Sequence, residues 1–136
     1  MNIPRVVLDT NVIVSALLSP SGSPAKIYRM FLTGLLTLIF SSDILDEYHD
    51  VLSRPRLGIP ADDAETVLST IKQYGKIVEP LPSTNAIAMI DESDRVFYDA
   101  AKNAAAYLIT GNIRHYPQES SILTPREFLE ISITPP

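Results

Sequence analysis

Short apolar runs alternate along this chain with longer stretches whose apolar residues recur at every third or fourth position. The apolar runs predict β-strands at residues 5–8, 35–40, 76–79, 107–110 and 121–123. The longer stretches predict helices at residues 12–17, 23–34, 41–52, 61–74, 92–105 and 125–130. Strands that alternate with helices in this way are typical of an α/β fold, a three-layer α/β/α sandwich around a central parallel sheet.

Proline and small polar residues mark where two of the helices begin. Ser23 stands before Pro24, and Thr124 stands before Pro125, which is the order expected for an N-cap followed by proline in the first turn. We therefore expect Ser23 and Thr124 to cap the helices that follow them.

The length and composition fit one domain spanning residues 1–136, with 46% hydrophobic and 20% charged residues. The absence of cysteine excludes disulfides and thiolate metal sites. The first residues lack the pattern of a signal peptide, and the longest apolar run, 35–40, is far shorter than the ~20 residues that span a membrane. We expect a soluble, cytoplasmic protein that does not contact a membrane.

The net charge of −5 argues against a nucleic-acid binder that works through a general positive field. It does not argue against an enzyme whose own carboxylates bind metal ions, because the ions offset those charges locally. The positions of the acidic residues are therefore more informative than their number.

Asp9 directly follows the first apolar run, Val6-Val7-Leu8. A carboxylate at the end of a parallel strand lies at the sheet edge where ligands of α/β proteins bind. A charged group so close to a buried strand is costly unless a cation or hydrogen bonds stabilise it. Asp9 is therefore either a metal ligand or the N-cap of the next helix, and its own position leaves both readings open.

The helix predicted at residues 41–52 carries four acids, and its helical phase separates them. Its buried stripe consists of Ile44, Leu45, Tyr48, Val51 and Leu52. Asp43, Asp46 and Asp50 lie nearly opposite that stripe, whereas Glu47 lies only about a quarter-turn from its centre. Glu47 is the acid best placed to reach the sheet edge, although a border residue that extends into solvent has the same phase.

A third acidic segment, residues 91–94, opens the helix predicted before the fourth strand. Asp91 is a suitable N-cap, and Asp94 then stands at the third helical position, where an acid is favoured by the helix dipole. Capping alone explains this pair, and it is the reading that these residues favour by themselves. Asp99 falls on the far side of the same helix from its apolar residues, so we expect it to be solvated.

Five segments of the chain together resemble the PIN-domain family of metal-dependent nucleases. VVLDTNVIVSALLS is similar to the opening family motif, SSDILDEYHDVLSRP to the second, DESDRVFYDAA to the third, YLITGNIRHYP to the fourth and ILTPREFLE to the family ending. The first motif alone is weak, but five segments in the right order cover nearly the whole chain. The most similar branch contains bacterial and archaeal toxins of toxin–antitoxin modules.

The resemblance implies a parallel sheet between helices and hydrolysis of RNA phosphodiester bonds with Mg²⁺ or Mn²⁺. It places Asp9, Glu47 and Asp94 in the positions of the family's metal-binding acids, and carboxylates are ligands that suit these hard cations. A metal held this way can activate water and stabilise charge on phosphate. The resemblance also implies an RNA substrate, a cognate antitoxin and a homodimer.

The fourth motif departs from the family pattern, which often has an aspartate directly after Thr-Gly and another two residues on. Here those positions hold Asn112 and Arg114. Asparagine can offer a neutral oxygen to a cation but adds no charge. Three acids are enough for one ion, so a second tightly bound metal is not implied. We expect Asn112 to orient a water molecule or the substrate phosphate.

Further polar residues near the motifs have two readings each. We expect Asn11, Ser15 and Thr110 to form hydrogen bonds with the metal-binding acids, although Asn11 could instead cap a helix and Thr110 could stabilise a turn. Arg95 and Arg114 follow acidic or polar site residues and could contact RNA phosphates. The alternative for both arginines is ordinary balance of surface charge.

Two other classes of function compete with a nuclease. A PIN fold that binds RNA or protein without cutting, or that cuts weakly, is favoured by Asn112 and by the acidic net charge. Three acids that repel one another argue against it, because they are costly to keep without a cation. A phosphoacceptor receiver domain needs an aspartate at the end of a central strand and a lysine ending a later one, but the second and fourth strands end Phe40-Ser41-Ser42 and Thr110-Gly111.

Overall fold

The computed structural model describes residues 3–83 and 87–133, without the side chain of Ile133. Five parallel strands form one sheet in the order β3-β2-β1-β4-β5. The strands are β1 at Arg5–Leu8, β2 at Thr37–Phe40, β3 at Lys76–Ile77, β4 at Tyr107–Ile109 and β5 at Ile122–Leu123.

Six α-helices connect the strands and cover the sheet. They are α1 at Thr10–Leu18, α2 at Ser23–Leu32, α3 at Ser42–Leu52, α4 at Ala61–Tyr74, α5 at Arg95–Ala104 and α6 at Pro125–Ile133. Short 3-10 turns lie at Pro55–Leu57, Glu92–Asp94 and Ile113–His115. Within residues 3–83 and 87–133, no helix has the length and apolar character needed to cross a membrane.

The helices form two layers around the sheet. Helix α2 contacts α1 and α6, while α5 packs against β1, β2 and β4 and contacts α3, which in turn contacts α4. Val6, Val7 and Leu8 of β1 are fully buried, as expected for a central strand with both faces covered. The prediction of a three-layer α/β/α sandwich with a parallel sheet is confirmed.

Local signals set the helix boundaries. Thr124 caps α6 as predicted, because its hydroxyl accepts the N–H of Glu127 and the carboxylate of Glu127 accepts the N–H of Thr124. The predicted cap at Ser23 is wrong by one residue, since α2 begins at Ser23 with Gly22 in the cap position. Strand β2 is shorter than predicted because Gly34, at φ 78°, turns the chain just before it.

The strand order places a topological switch point beside β1. The chain runs from β1 outward through β2 to β3, and then crosses to the other side of β1 for β4 and β5. Ligands of open α/β sheets bind in the crevice at the carboxyl ends of the two strands where the order reverses. Here those strands are β1 and β4, and the residues that directly follow them are Asp9 and Thr110.

A buried tyrosine of α3 fixes that helix against the end of β1. The Tyr48 side chain is fully buried, and its hydroxyl donates to the backbone carbonyl of Leu8, the residue before Asp9. Burial, and then the negative charge of Asp9, raise the pKa of Tyr48 well above its ordinary value, so the hydroxyl keeps its proton. This contact sets the position of α3 relative to the first acidic residue.

Removing the Tyr48 hydroxyl should destabilise the protein. Tyr48→Phe leaves the ring but leaves the Leu8 carbonyl without this donor, which should lower the free energy of unfolding by about 1–3 kcal/mol. Urea unfolding measures the change. Tyr74→Phe is the control, because Tyr74 is 69% exposed and should lose almost nothing. Equal stabilities of the two variants would contradict the role of this hydrogen bond.

Candidate active site

Asp9 is a buried carboxylate at the carboxyl end of β1, with 5% of its surface exposed. Its Oδ1 accepts a hydrogen bond from the backbone N–H of Thr10 at 2.8 Å. Its Oδ2 accepts from the hydroxyl of Thr110 at 2.8 Å and from the hydroxyl of Tyr116 at 3.1 Å. Donors from three places in the sequence therefore offset the cost of burying this charge.

Asn11 joins the residues after β1 to those after β4. Its Nδ2 lies 3.4 Å from Oδ2 of Asp9, and its Oδ1 accepts the N–H of Gly111 at 2.8 Å. A Cβ at position 111 would lie only 3.0 Å from that oxygen of Asn11, so glycine allows this close approach. Asn11 thus contacts Asp9, the acid with which it was predicted to form a hydrogen bond.

Sequence reasoning did not identify Tyr116, which the structure places at the centre of the site. Tyr116 is 6% exposed and follows the 3-10 turn after β4. Burial raises its pKa far above the ordinary value, and the charges of Asp9 and Asp94 act in the same direction. The hydroxyl is therefore a permanent donor. In the sequence pattern Tyr116 is indistinguishable from any other buried apolar residue. The bond from its hydroxyl to Asp9 is visible only in the folded structure.

Asp94 is the second carboxylate of the site and does not act as a helix cap. Its position corresponds to the N-cap of α5, yet its side chain forms no capping hydrogen bond. The predicted cap role of Asp91 is confirmed, because its carboxylate accepts the N–H and the hydroxyl of Ser93. In the sequence, helix capping accounted for the positions of both Asp91 and Asp94. In the structure, only Asp91 forms capping hydrogen bonds.

The surroundings of Asp94 disfavour its charge. Burial raises the pKa of Asp94, the charges of Asp9 and Asp91 raise it further, and His115 lowers it. Nδ1 of His115 lies 3.3 Å from Oδ2 of Asp94, and among the described residues no other group approaches this buried oxygen within hydrogen-bond geometry. A buried carboxylate oxygen with one neighbouring histidine has room for a further partner such as a bound cation or water.

Glu47 has the burial that its helical phase predicts, but in the described parts of the chain it forms no hydrogen bond with Asp9 or Asp94. It is half-buried on α3, whereas Asp43, Asp46 and Asp50 are exposed. It stands next to Tyr48, whose hydroxyl bonds to β1. Among residues 3–83 and 87–133, no three acidic or histidine side chains are close enough to form a preformed metal site. The structure thus couples the charges of Asp9 and Asp94.

Thr110 and Asn112 connect the fourth motif to Asp9. The Thr110 hydroxyl donates to Asp9 and accepts the backbone N–H of Asn112 at 2.9 Å, so it stabilises both the acid and the turn. Asn112 itself is exposed. Ser15 is half-buried on α1, and in the described parts of the chain no hydrogen bond joins its side chain to Asp9, Glu47 or Asp94.

The two arginines predicted to contact phosphates, Arg95 and Arg114, differ in whether the guanidinium already has an ion-pair partner. The Arg95 guanidinium donates to both carboxylate oxygens of Glu92, at 2.7 and 3.0 Å, and to the carbonyl of Ile87. Arg114 is exposed and has no ion pair with any described residue. Arg114 is therefore the one of the two whose guanidinium is available to a ligand.

The prediction that Asp99 is solvated is wrong. Asp99 is 9% exposed, and its Oδ1 accepts the hydroxyl of Ser83 at 2.7 Å. The nearby side chain of Asn103 donates to the carbonyl of Leu81. The segment that precedes α5 in the chain packs over the outer side of this helix, and helical periodicity alone contains no information about such a covering segment.

Comparisons with known proteins agree with this architecture. The family model of the PIN domain matches residues 5–114. An uncharacterised protein of Methanocaldococcus jannaschii, MJ1680, is 29% identical over 139 residues, covering 93% of this chain and 90% of that protein. The chain belongs to the PIN-domain family, whose members are generally nucleases.

Two solved structures share the fold at low sequence identity. PAE2754 from Pyrobaculum aerophilum has a TM-score of 0.59 at 17% identity, covering 96% of this chain and 89% of that chain. VapBC2 from Rickettsia felis, bound to a DNA fragment from its promoter, has a TM-score of 0.57 at 18% identity, covering 81% of this chain and 89% of that chain.

Neutralising Asp94 should stabilise the metal-free protein. Because folding raises the pKa of Asp94, its contribution to stability is greatest at low pH and is lost as pH rises through the raised pKa. Asp94→Asn removes the charge and should raise the melting temperature at neutral pH without divalent metal. Asp46→Asn, on an exposed residue, is the control and should leave it unchanged. A lower melting temperature for Asp94→Asn would show that the carboxylate has a stabilising partner instead.

Proposed function

We propose that this chain is a Mg²⁺- or Mn²⁺-dependent endoribonuclease that hydrolyses RNA phosphodiester bonds. The main support is the pairing of Asp9 with Asp94 at the switch point of the sheet. Each carboxylate is largely buried, the charge of Asp9 acts on Asp94, and among the residues described only His115 lies beside Oδ2 of Asp94. Oxygen atoms of this kind fit a hard divalent cation.

In this proposal Asp9 and Asp94 hold the ion, and Glu47 reaches it directly or through water. Such an ion supplies charge stabilisation at the phosphate and lowers the pKa of water. Thr110 and Asn11 keep the Asp9 carboxylate in place. The exposed Asn112 orients a water molecule or the phosphate.

In this proposal Arg114 and Arg95 bind the RNA. Arg114 is two residues from Asn112 and its guanidinium is available, so it contacts a phosphate next to the cleaved bond. Arg95 contributes after exchanging its ion pair with Glu92, which is an exposed pair and therefore a weak one. Local cations of this kind offset the net charge of −5 at the place where RNA binds.

We also propose that the chain is the toxin of a toxin–antitoxin module, acting in the cytoplasm as a homodimer that a cognate antitoxin inhibits. The support is membership of the PIN-domain family together with the fold shared with VapBC2. The alternative is a PIN-fold module that binds RNA or protein without cutting, and the neutral Asn112 in the fourth motif favours that alternative. Cleavage assays separate the two.

The Glu47 carboxylate should be essential for cleavage. Glu47→Gln removes a negative charge from the ion site and should lower the rate of Mn²⁺-dependent RNA cleavage about 100-fold or more, equivalent to ~3 kcal/mol in the barrier. The assay follows a labelled RNA with and without Mn²⁺. Asp46→Asn and Asp50→Asn are matched controls on exposed positions of the same helix and should retain activity.

Equal losses in all three variants would contradict the assigned role of Glu47. If the wild-type protein binds RNA but does not cut it at any Mn²⁺ concentration, the binding module replaces the nuclease as the function.

Restoring a carboxylate at position 112 should strengthen ion binding. Asn112→Asp adds a charged oxygen near the residues that hold Asp9, and ligand charge is a main determinant of affinity for hard cations. The metal-free variant should melt at a lower temperature than the wild type, because the new charge repels Asp9 and Asp94. Calorimetric titration with Mn²⁺ and melting curves measure the two effects.

Gln118→Glu is the control for Asn112→Asp, since it adds the same charge at an exposed position of the same connection. It should change neither Mn²⁺ affinity nor metal-free stability by a comparable amount. If the two variants behave alike, Asn112 is a surface residue outside the site.

A further inference from the structure

The hydrogen bonds of Asp9 are distributed unequally between its two oxygens. Oδ2 accepts the Thr110 hydroxyl, the Tyr116 hydroxyl and the longer contact from Asn11. From the residues that the structure describes, Oδ1 accepts one bond, from the N–H of Thr10. An ionised carboxylate has about four lone-pair positions, two on each oxygen. Oδ2 is therefore fully occupied, and Oδ1 keeps a position for one more partner.

Among the described donors to Asp9, Tyr116 is the one whose hydroxyl takes no part in the local backbone structure. Thr10 donates through its backbone, and the Thr110 hydroxyl also accepts the N–H of Asn112, so both belong to the local backbone structure. Within the described parts of the chain the Tyr116 hydroxyl bonds to Asp9 alone, at 3.1 Å, and its ring is buried. It also lies within the electrostatic influence of Asp94.

We propose that Tyr116 is a positioning residue whose hydroxyl holds Oδ2 of Asp9, so that Oδ1 is the oxygen presented to a divalent cation. The inference rests on the proposed function. With bonds on both of its oxygens, the carboxylate cannot rotate about the Cβ–Cγ bond. The donor also places its partial positive charge against the carboxylate of Asp9. Partners of this kind orient the ligands of metal sites.

The test is Tyr116→Phe, which removes the hydroxyl and keeps the ring. Calorimetric titration of the metal-free protein with Mn²⁺ should show an affinity about 10- to 100-fold lower than that of the wild type, the usual effect of losing a residue that orients a metal ligand. At saturating Mn²⁺ the variant should have a lower kcat for RNA cleavage and an unchanged KM, because the hydroxyl acts on Asp9 and not on RNA.

Tyr107→Phe is the matched control. The Tyr107 ring is half-buried in β4 and packs edge-on against Phe128, 5.8 Å away between ring centroids. Its hydroxyl has no described bond to the acids, so its removal should leave Mn²⁺ affinity and kcat unchanged. A purely structural role for Tyr116 would lower the melting temperature of Tyr116→Phe without changing its Mn²⁺ affinity, and that result would overturn the inference.

The outcomes distinguish the inference from the function on which it rests. If the wild-type protein binds Mn²⁺ and cleaves RNA, and Tyr116→Phe does both equally well, the inference is wrong and the proposed function stands. If the wild-type protein binds no Mn²⁺, the proposed function is wrong and the role of Tyr116 toward an ion is wrong with it. Weaker Mn²⁺ binding by Tyr116→Phe, with Tyr107→Phe unchanged, supports both.

Discussion

The buried negative charge of Asp9 is the constraint on which the rest of this structure depends. It stands directly after the central strand, where 5% exposure leaves little solvent to stabilise it. The protein compensates with donors from the start of α1, from the end of β4 and from the turn beyond it. The two hydroxyl donors, Thr110 and Tyr116, are distant from Asp9 in sequence, so they reach it only when the parallel pairing of β1 with β4 has formed.

Two acids with different surroundings lie at the same edge of the sheet. Asp9 is stabilised by several hydrogen bonds, whereas among the described residues a buried oxygen of Asp94 has only His115 beside it, and the charge of Asp9 raises the pKa of Asp94. A fold selected only for stability would replace Asp94 by a neutral residue. The cost of keeping it has a physical explanation if a cation neutralises both acids when the site is loaded.

The sequence predicted the fold well and the site in part, for reasons that particular residues make clear. Strand and helix periodicity located β1 and α3, and the phase of α3 separated Glu47 from Asp46 because burial follows a regular period. The hydroxyl of Tyr116 and the burial of Asp99 were missed, because both depend on segments that approach through tertiary packing. Periodicity describes which side of an element is buried but not which distant residue covers it.

The comparison of Asp9 with Asp94 shows why capping and ion binding are not exclusive for a carboxylate. Asp9 stands in the N-cap position of α1 and accepts the N–H of Thr10, yet that bond uses one lone pair of Oδ1. Asp94 stands in the N-cap position of α5 and caps nothing. A cap position therefore does not decide the role of an acid. The deciding property is the number of donors around each oxygen, and by that measure Oδ1 of Asp9 and Oδ2 of Asp94 are the two atoms on which an ion at this sheet edge would depend.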